Sequence, residues 1–204
     1  RLVRGLRLAG GDIDVALLGR HVRVLEHHAL EAVHADEVVG ARALVLVHAE
    51  VPARAVDMRA VETTVHHLIK SGFDPLTDND PYLGFVYTSF QERATKISHR
   101  NVARLAKKSG EDRLHQICGL IAGDEARPEL AYKLFMSKIF EIDPADALIS
   151  FATMMKRKIA MPAGNMNDGN DERLFAKFSK VAQKIGVYTA QDYAEIIGEL
   201  VANW

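Results

Sequence analysis

From Asp57 onward the apolar positions recur every three or four residues, the spacing of helices that pack along one face. Met58, Val61, Val65, Leu68 and Ile69 form a first stripe, ended by Ser71-Gly72. Residues 73–81, with two Pro and four Asp or Asn, read as a loop. A long helix is predicted from Pro81, a residue suited to a first turn, to Lys108, with Ser109-Gly110 as its stop. A second long helix is predicted over Glu111–Phe140, ending before Asp143-Pro144. Shorter ones follow at Ala145–Ile159, Asp171–Ile185 and Ala190–Asn203, and Ala160–Asn170, with Pro162, Gly164 and Gly169, is a connecting loop. No run alternates apolar and polar residues and no internal repeat is visible. The expected class is all-α, with the two long helices in a bundle.

The long helices carry the informative side chains. On the first, Phe85, Thr88, Ser89, Glu92, Thr95, Lys96 and His99 share a face, while Leu83, Val86, Phe90, Ala94 and Ile97 lie largely elsewhere. Periodicity alone leaves the polar face open between a solvated surface and a site. On the second helix Cys118, Ile121, Glu125, Tyr132, Phe135 and Ile139 fall on one stripe. Cys118 reads as a small core residue. Glu125 is the odd member, because a carboxylate on an apolar face needs a cationic partner, Arg93 for example, or a metal.

Residues 1–56 follow a different pattern. They use ten residue types only, Arg, Leu, Val, Gly, Ala, Asp, Ile, His, Glu and Pro, and the first Thr, Lys and aromatic residue are Thr63, Lys70 and Phe73. Ordinary globular usage does not omit so many types over such a length. Apart from Ile13, every residue there has a codon beginning with G or C, which is the expected mark of a GC-rich gene read in a wrong frame. The segment is therefore expected to be out-of-frame or mis-assigned coding sequence, or else an Ala/Val/Leu-rich extension. A plastid transit peptide is disfavoured, since such peptides are rich in Ser and poor in acids, and this stretch has no Ser and as many acids as arginines. The expected organisation is a biased segment over 1–56 and a helical domain over 57–204.

Composition narrows the field further. Hydrophobic residues make up 48% and charged ones 26%, a globular balance. The 26 basic and 27 acidic side chains nearly cancel, so no whole-chain field draws the protein to nucleic acid or to a membrane, and neither is expected as a partner. One cysteine excludes an internal disulfide, and no Cys/His cluster has zinc-ligand spacing. The apolar runs are too short to span a bilayer. The chain opens on Arg1 rather than Met, as a processed or incomplete product would.

The run from Asn79 to Thr95, Asn-Asp-Pro-Tyr-Leu-Gly-Phe-Val-Tyr-Thr-Ser-Phe-Gln-Glu-Arg-Ala-Thr, closely resembles the soluble plant acyl-acyl carrier protein (acyl-ACP) desaturases. So do Asp57-Met58-Arg59, Gln116-Ile117-Cys118-Gly119, Phe140-Glu141-Ile142-Asp143-Pro144 and Gly186-Val187-Tyr188-Thr189-Ala190. The likeness runs ungapped from Val56 to Trp204 and starts where the alphabet changes. It implies a ferritin-like helical bundle, truncated to its second half plus the C-terminal helices. It also implies a homodimer in the plastid stroma, and an oxidoreductase of fatty acid biosynthesis that puts a cis double bond into an acyl chain on acyl carrier protein. Such enzymes use a di-iron centre, dioxygen and electrons from ferredoxin. A side chain cannot oxidise an unactivated C–H bond, so the cofactor carries that step. Two irons are held between four helices by two lone Glu and two Glu-x-x-His pairs.

Carried over residue by residue, the pattern is incomplete. Glu92, in Gln91-Glu92-Arg93, matches a lone Glu, and Glu125, in Asp124-Glu125-Ala126-Arg127-Pro128-Glu129, matches the Glu of the second pair. Its histidine partner should stand at 128, where this chain has Pro128. Inside a helix that proline costs about 3 kcal/mol and should kink the chain within one turn of Glu125. The other three ligands, a lone Glu and the first Glu-x-x-His pair, belong upstream. Glu31-Ala32-Val33-His34 reads Glu-x-x-His but lies out of register, in surroundings unlike the family's. More weakly, Thr95 matches a threonine beside the oxygen-binding side of the iron site, and Pro75, Gly84 and Phe85 match positions near the acyl tunnel. Lys156-Arg157-Lys158 offers charge to acidic carrier protein, while Gly164, Asn165 and Asn167 depart from a family loop. The expectation is an acyl-ACP desaturase whose iron is lost or weak. The rival is a non-catalytic protein that binds acyl carrier protein or forms a heterodimer with an intact desaturase, and the faces bearing Ile121, Tyr132 and Phe135 are expected to mediate such association.

Overall fold

The computed structural model describes residues 57–204, so the expectations about residues 1–56, including the Glu31/His34 pair, lie outside the described residues. The first helix, α1 (Met58–Ser71), starts because the Asp57 carboxylate accepts the N–H groups of Arg59 and Ala60, at 3.0 and 3.2 Å. It stops at Gly72, whose φ of +66° suits glycine. None of its residues is buried, and Met58 and Ile69 of the predicted stripe stand in solvent.

Helix α2 (Pro81–Lys108) has the predicted span. Asp80 caps it through the N–H groups of Tyr82 and Leu83, and Pro81 occupies a first-turn position where no N–H is needed. The region predicted as one helix over 111–140 is two, α3 (Asp112–Asp124) and α4 (Ala126–Ile142), separated by Glu125 alone. The cause is Pro128, which has no N–H to give the Asp124 carbonyl. Glu125 stays near helical geometry, φ −63° and ψ −21°; its N–H donates to Ile121 O at 3.0 Å and its carbonyl accepts from Glu129 at 3.2 Å. The break interrupts the helical hydrogen bonding at that turn while the bonds on either side of it are kept.

Helix α5 (Pro144–Arg157) follows, capped by Asp143 through the N–H of Asp146 and closed two residues earlier than predicted by Lys158 at φ +63°. The connecting loop contains a 3-10 turn over Pro162–Asn165. Helix α6 (Leu174–Ile185) starts three residues later than predicted, because Asp168 and Asp171 take the backbone N–H groups of residues 170, 171 and 173 into turns. Helix α7 (Ala190–Asn203) has the predicted span and opens on a reciprocal capping box between Thr189 and Asp192. Every regular element among the described residues is helical, as the all-α expectation holds.

α2 is the hub, packed most extensively on α3 and α4 and also on α5 and α7. Leu83, Phe85, Val86, Phe90 and Ala94 of α2 are buried, as are Cys118 and Ala122 of α3, Met136 of α4, Met154 of α5, and Ile196 and Leu200 of α7. Each large side chain so buried contributes about 1.5–3 kcal/mol, which makes α2 the element whose removal would cost most. Trp204 closes the far end. It stacks on Phe140 (centroids 5.8 Å apart), meets Phe151 edge-on at 5.6 Å, and donates from Nε1 to Lys133 O at 3.2 Å.

Candidate functional site

The face of α2 left open by periodicity is interior: Thr88, Ser89 and Glu92 are buried. Burial is permitted because the hydroxyls satisfy themselves one turn back. Thr88 Oγ1 donates to Gly84 O at 2.8 Å and Ser89 Oγ to Phe85 O at 2.7 Å. Thr95, the matched threonine, does the same toward Gln91 O and Glu92 O, at 3.1 and 3.0 Å. Its hydrogen is thus directed at its own helix. His99, further along this face, is held below its ordinary pKa by burial and is neutral near pH 7.

Glu92 and Glu125, the two matched ligand positions, are both buried, at 3% and 6% exposure. α2 turns Glu92 inward in register with Phe85 and Ser89, and the α3–α4 break holds Glu125 inward in register with Cys118 and Ala122. Pro128 stands at the third position of α4, one turn on from Glu125, and carries no ligating atom. Among the described residues no group of three or more His, Cys, Asp or Glu side chains is placed to hold a metal ion. Two inward carboxylates followed by a proline do not by themselves fit a di-iron donor set.

Arg93 turns to partners other than the expected Glu125. Its guanidinium donates to Glu129 Oε1 at 2.5 Å and pairs with Glu199 of α7. Lys96 Nζ reaches Glu129 Oε2 at 2.5 Å, and Lys133 approaches Glu199 at 3.7 Å. Burial alone would raise the pKa of Glu129, but the hydrogen bonds and charges of Lys96 and Arg93 outweigh it and hold the carboxyl below its ordinary value. This network, which ties α2, α4 and α7 together, was missed in the sequence. The available signal was position: Glu129 follows Glu125 by four residues and so lies on the same inward stripe.

The tunnel-matched residues separate. Phe85 joins Tyr132 and Phe135 of α4 in a three-ring cluster, with centroids 6.1, 5.7 and 6.1 Å apart. Tyr132 and Phe135 therefore face α2, and the expectation that they form an association surface is corrected. The outward apolar residues of α3 and α4 are Leu120, Leu130, Leu134 and, at the end of α4, Ile142. Gly84, one turn before Thr88, has open space where a Cβ would stand. Pro75 lies in the loop between α1 and α2, where Leu76, Asp78 and Asn79 adopt left-handed φ. Arg157 steadies that loop by bonding Leu76 O and, at 2.6 Å, Asp78 Oδ2, so it is not a free member of the basic run. The loop departures have a structural use: Asn165 donates to Gly72 O at 3.0 Å and Asn167 to Ser71 Oγ at 3.2 Å, fastening the loop to the end of α1.

A family model for fatty acid desaturases matches residues 44–204, most of the chain. The chain belongs to the fatty acid desaturase family. The family-model match begins twelve residues before Val56, while the relatives align over 149 residues, the length from Val56 to Trp204. Among curated relatives, the chloroplastic stearoyl-[acyl-carrier-protein] 9-desaturase of Spinacia oleracea is 60% identical over 149 residues, covering 73% of this chain and 37% of the relative. The chloroplastic stearoyl-[acyl-carrier-protein] 9-desaturase 5 of Arabidopsis thaliana is 60% identical and the chloroplastic acyl-[acyl-carrier-protein] desaturase of Cucumis sativus 59%, each over 149 residues and 38% of the relative. This desaturase-family chain thus spans little more than a third of the length of the curated relatives it matches.

Proposed function

We propose that the chain is an acyl-ACP desaturase by descent and that it is inactive or severely impaired in desaturation. The observation that carries the reading is local: a buried glutamate at a helix break, followed one turn later by Pro128 where the resemblance calls for histidine. In working relatives of this type, iron supplies the oxidising power for the acyl C–H bonds. Here Glu92 and Glu125 are the residues offered to such a centre, and Thr95 follows Glu92 by three residues on α2 with its hydroxyl committed to the backbone. Phe85, with Tyr132 and Phe135, and open Gly84 are the positions offered to an acyl chain. Pro75 is offered with them through the resemblance alone. Plastid localisation and acyl carrier protein as the substrate carrier follow from what the relatives' names state of those proteins.

A second reading, pairing with an intact desaturase, is favoured by Leu120, Leu130 and Leu134, which stand outward at more than half exposure along α3 and α4. Iron content of the purified chain, with desaturation of stearoyl-ACP in the presence of ferredoxin, tests the first reading. The expected result is iron at the level of a generic acidic surface and no double bond formed. About two irons per chain with an oxo-bridged spectroscopic signature would overturn it. Co-purification with an intact desaturase, lost in Leu130→Ser/Leu134→Ser, tests the second.

A further inference from the structure

The near-neutral charge of the whole chain conceals one strongly polarised element. Helix α6 reads Leu-Phe-Ala-Lys-Phe-Ser-Lys-Val-Ala-Gln-Lys-Ile and contains three lysines and no acid. Lys177, Lys180 and Lys184 follow each other at spacings of three and four, so they form one row along the helix. Phe178, Val181 and Ile185 repeat the same spacing one position later and form the adjacent row. The protein side is taken by Leu174, Ser179 and Ala182, which are half-buried. The apolar row is left in water, with Phe178 46%, Val181 56% and Ile185 51% exposed. No residue of α6 is buried, and its principal neighbour among the described elements is the 3-10 turn at Pro162–Asn165. Lys177 is held by Asp171 at 2.5 Å, whereas Lys180 and Lys184 make no ion pair among the described residues.

We propose that α6 docks the protein on an anionic lipid surface, with Phe178, Val181 and Ile185 entering the headgroup boundary and Lys180 and Lys184 meeting lipid phosphates. Charge complementarity selects this occupant. An amphipathic helix with lysines beside an apolar stripe lies in the plane of a membrane interface. The lysine stems extend along the apolar row while their ammonium groups stay in water at phosphate level. An unflanked apolar face would instead suit another protein, and α5 supplies that contrast: Leu148 and Ile149 are 60% and 63% exposed, with Asp146 and no cation within a turn of them.

Co-sedimentation of the full chain with vesicles tests the proposal, using phosphatidylcholine alone and phosphatidylcholine mixed with phosphatidylglycerol at low salt. Binding is expected on the mixed vesicles only and should fall as salt is raised. One lysine near an anionic surface is worth about fivefold, so Lys180→Gln/Lys184→Gln should weaken binding roughly 30-fold. Val181→Ser/Ile185→Ser should abolish it, and both pairs are exposed enough to leave the helical circular dichroism unchanged. Leu148→Ser/Ile149→Ser should bind like the parent. Absence of binding to mixed vesicles, equal binding to neutral ones, or equal loss in the α5 variant would each overturn the proposal. So would vesicle-independent self-association that disappears in Val181→Ser/Ile185→Ser, which would assign the row to a protein interface.

Discussion

Replacing Pro128 by alanine isolates what the ring does to the backbone. From the sequence, a proline in a helix interior costs about 3 kcal/mol, and its removal should stabilise the protein by a similar amount. The structure lowers that figure. The chain restarts as α4 at Ala126, so Pro128 sits at the third position of a helix, where an N–H has no obligatory partner. The bonds on either side, Glu125 to Ile121 and Glu129 to Glu125, are already made. Alanine can therefore add one hydrogen bond, to Asp124 O, worth about 1 kcal/mol net. Against this stands the loss of proline's restriction of the unfolded chain, about 0.4–1 kcal/mol. The two nearly cancel, and the expected change is within about 0.5 kcal/mol, or less than about 2 °C in Tm for a chain of this size. Urea denaturation followed by helical circular dichroism measures it. A gain near 3 kcal/mol would refute the reasoning by showing that the break at Glu125 is a strained interior. A loss of more than 1 kcal/mol would show that the ring packs to advantage. Pro128→His should behave alike in stability and remain without desaturase activity, since it supplies one donor only.

Glu129→Gln should destabilise the protein by about 2 kcal/mol, less than a fully buried pair would, because Arg93 and Lys96 each keep about a quarter of their side chain in water. Because the folded-state pKa of Glu129 is depressed, its contribution is present above the ordinary carboxylate value and is lost as pH falls through the folded one. A Tm series from neutral to acid pH should therefore show a shallower acid decline in Glu129→Gln than in the parent, and parallel curves would count against the network. Phe85→Leu keeps apolar bulk but removes two ring contacts, and equilibrium denaturation should show a loss of about 1–2 kcal/mol. Double-mutant coupling with Tyr132→Leu should return about half of that, and no coupling would mean that the cluster is mere area.

The sequence exposed those features that depend on local chemistry. Asp80-Pro81 and Thr189 to Asp192 are caps that act within four residues, and α2 and α7 begin there as predicted. The division of 111–140 was legible only through Pro128, because apolar spacing continues in phase across Glu125. The burial of Thr88 and Ser89 was not legible, since composition does not show whether a hydroxyl bonds water or the carbonyl one turn back. The partners of Arg93 were beyond reach for another reason. Choosing among Glu125, Glu129 and Glu199 requires knowing how α4 and α7 are rotated against α2, which is a property of packing alone. At the site, Glu92 and Glu125 were readable as residue types in a pattern, whereas their burial needed the fold.

The stacking of Trp204 between Phe140 and Phe151 has a practical consequence. It is the one tryptophan in the chain, and its indole is seated where α7 meets α4 and α5. Indole fluorescence therefore reports a single event, the docking of α7, while far-ultraviolet dichroism reports the helices of residues 57–204 together. Superimposed melting curves from the two signals would mean that the helices unfold as one cooperative body. An earlier spectral shift in the fluorescence would mean that α7 peels away first, taking Glu199 out of the charge network before α2 and α4 part.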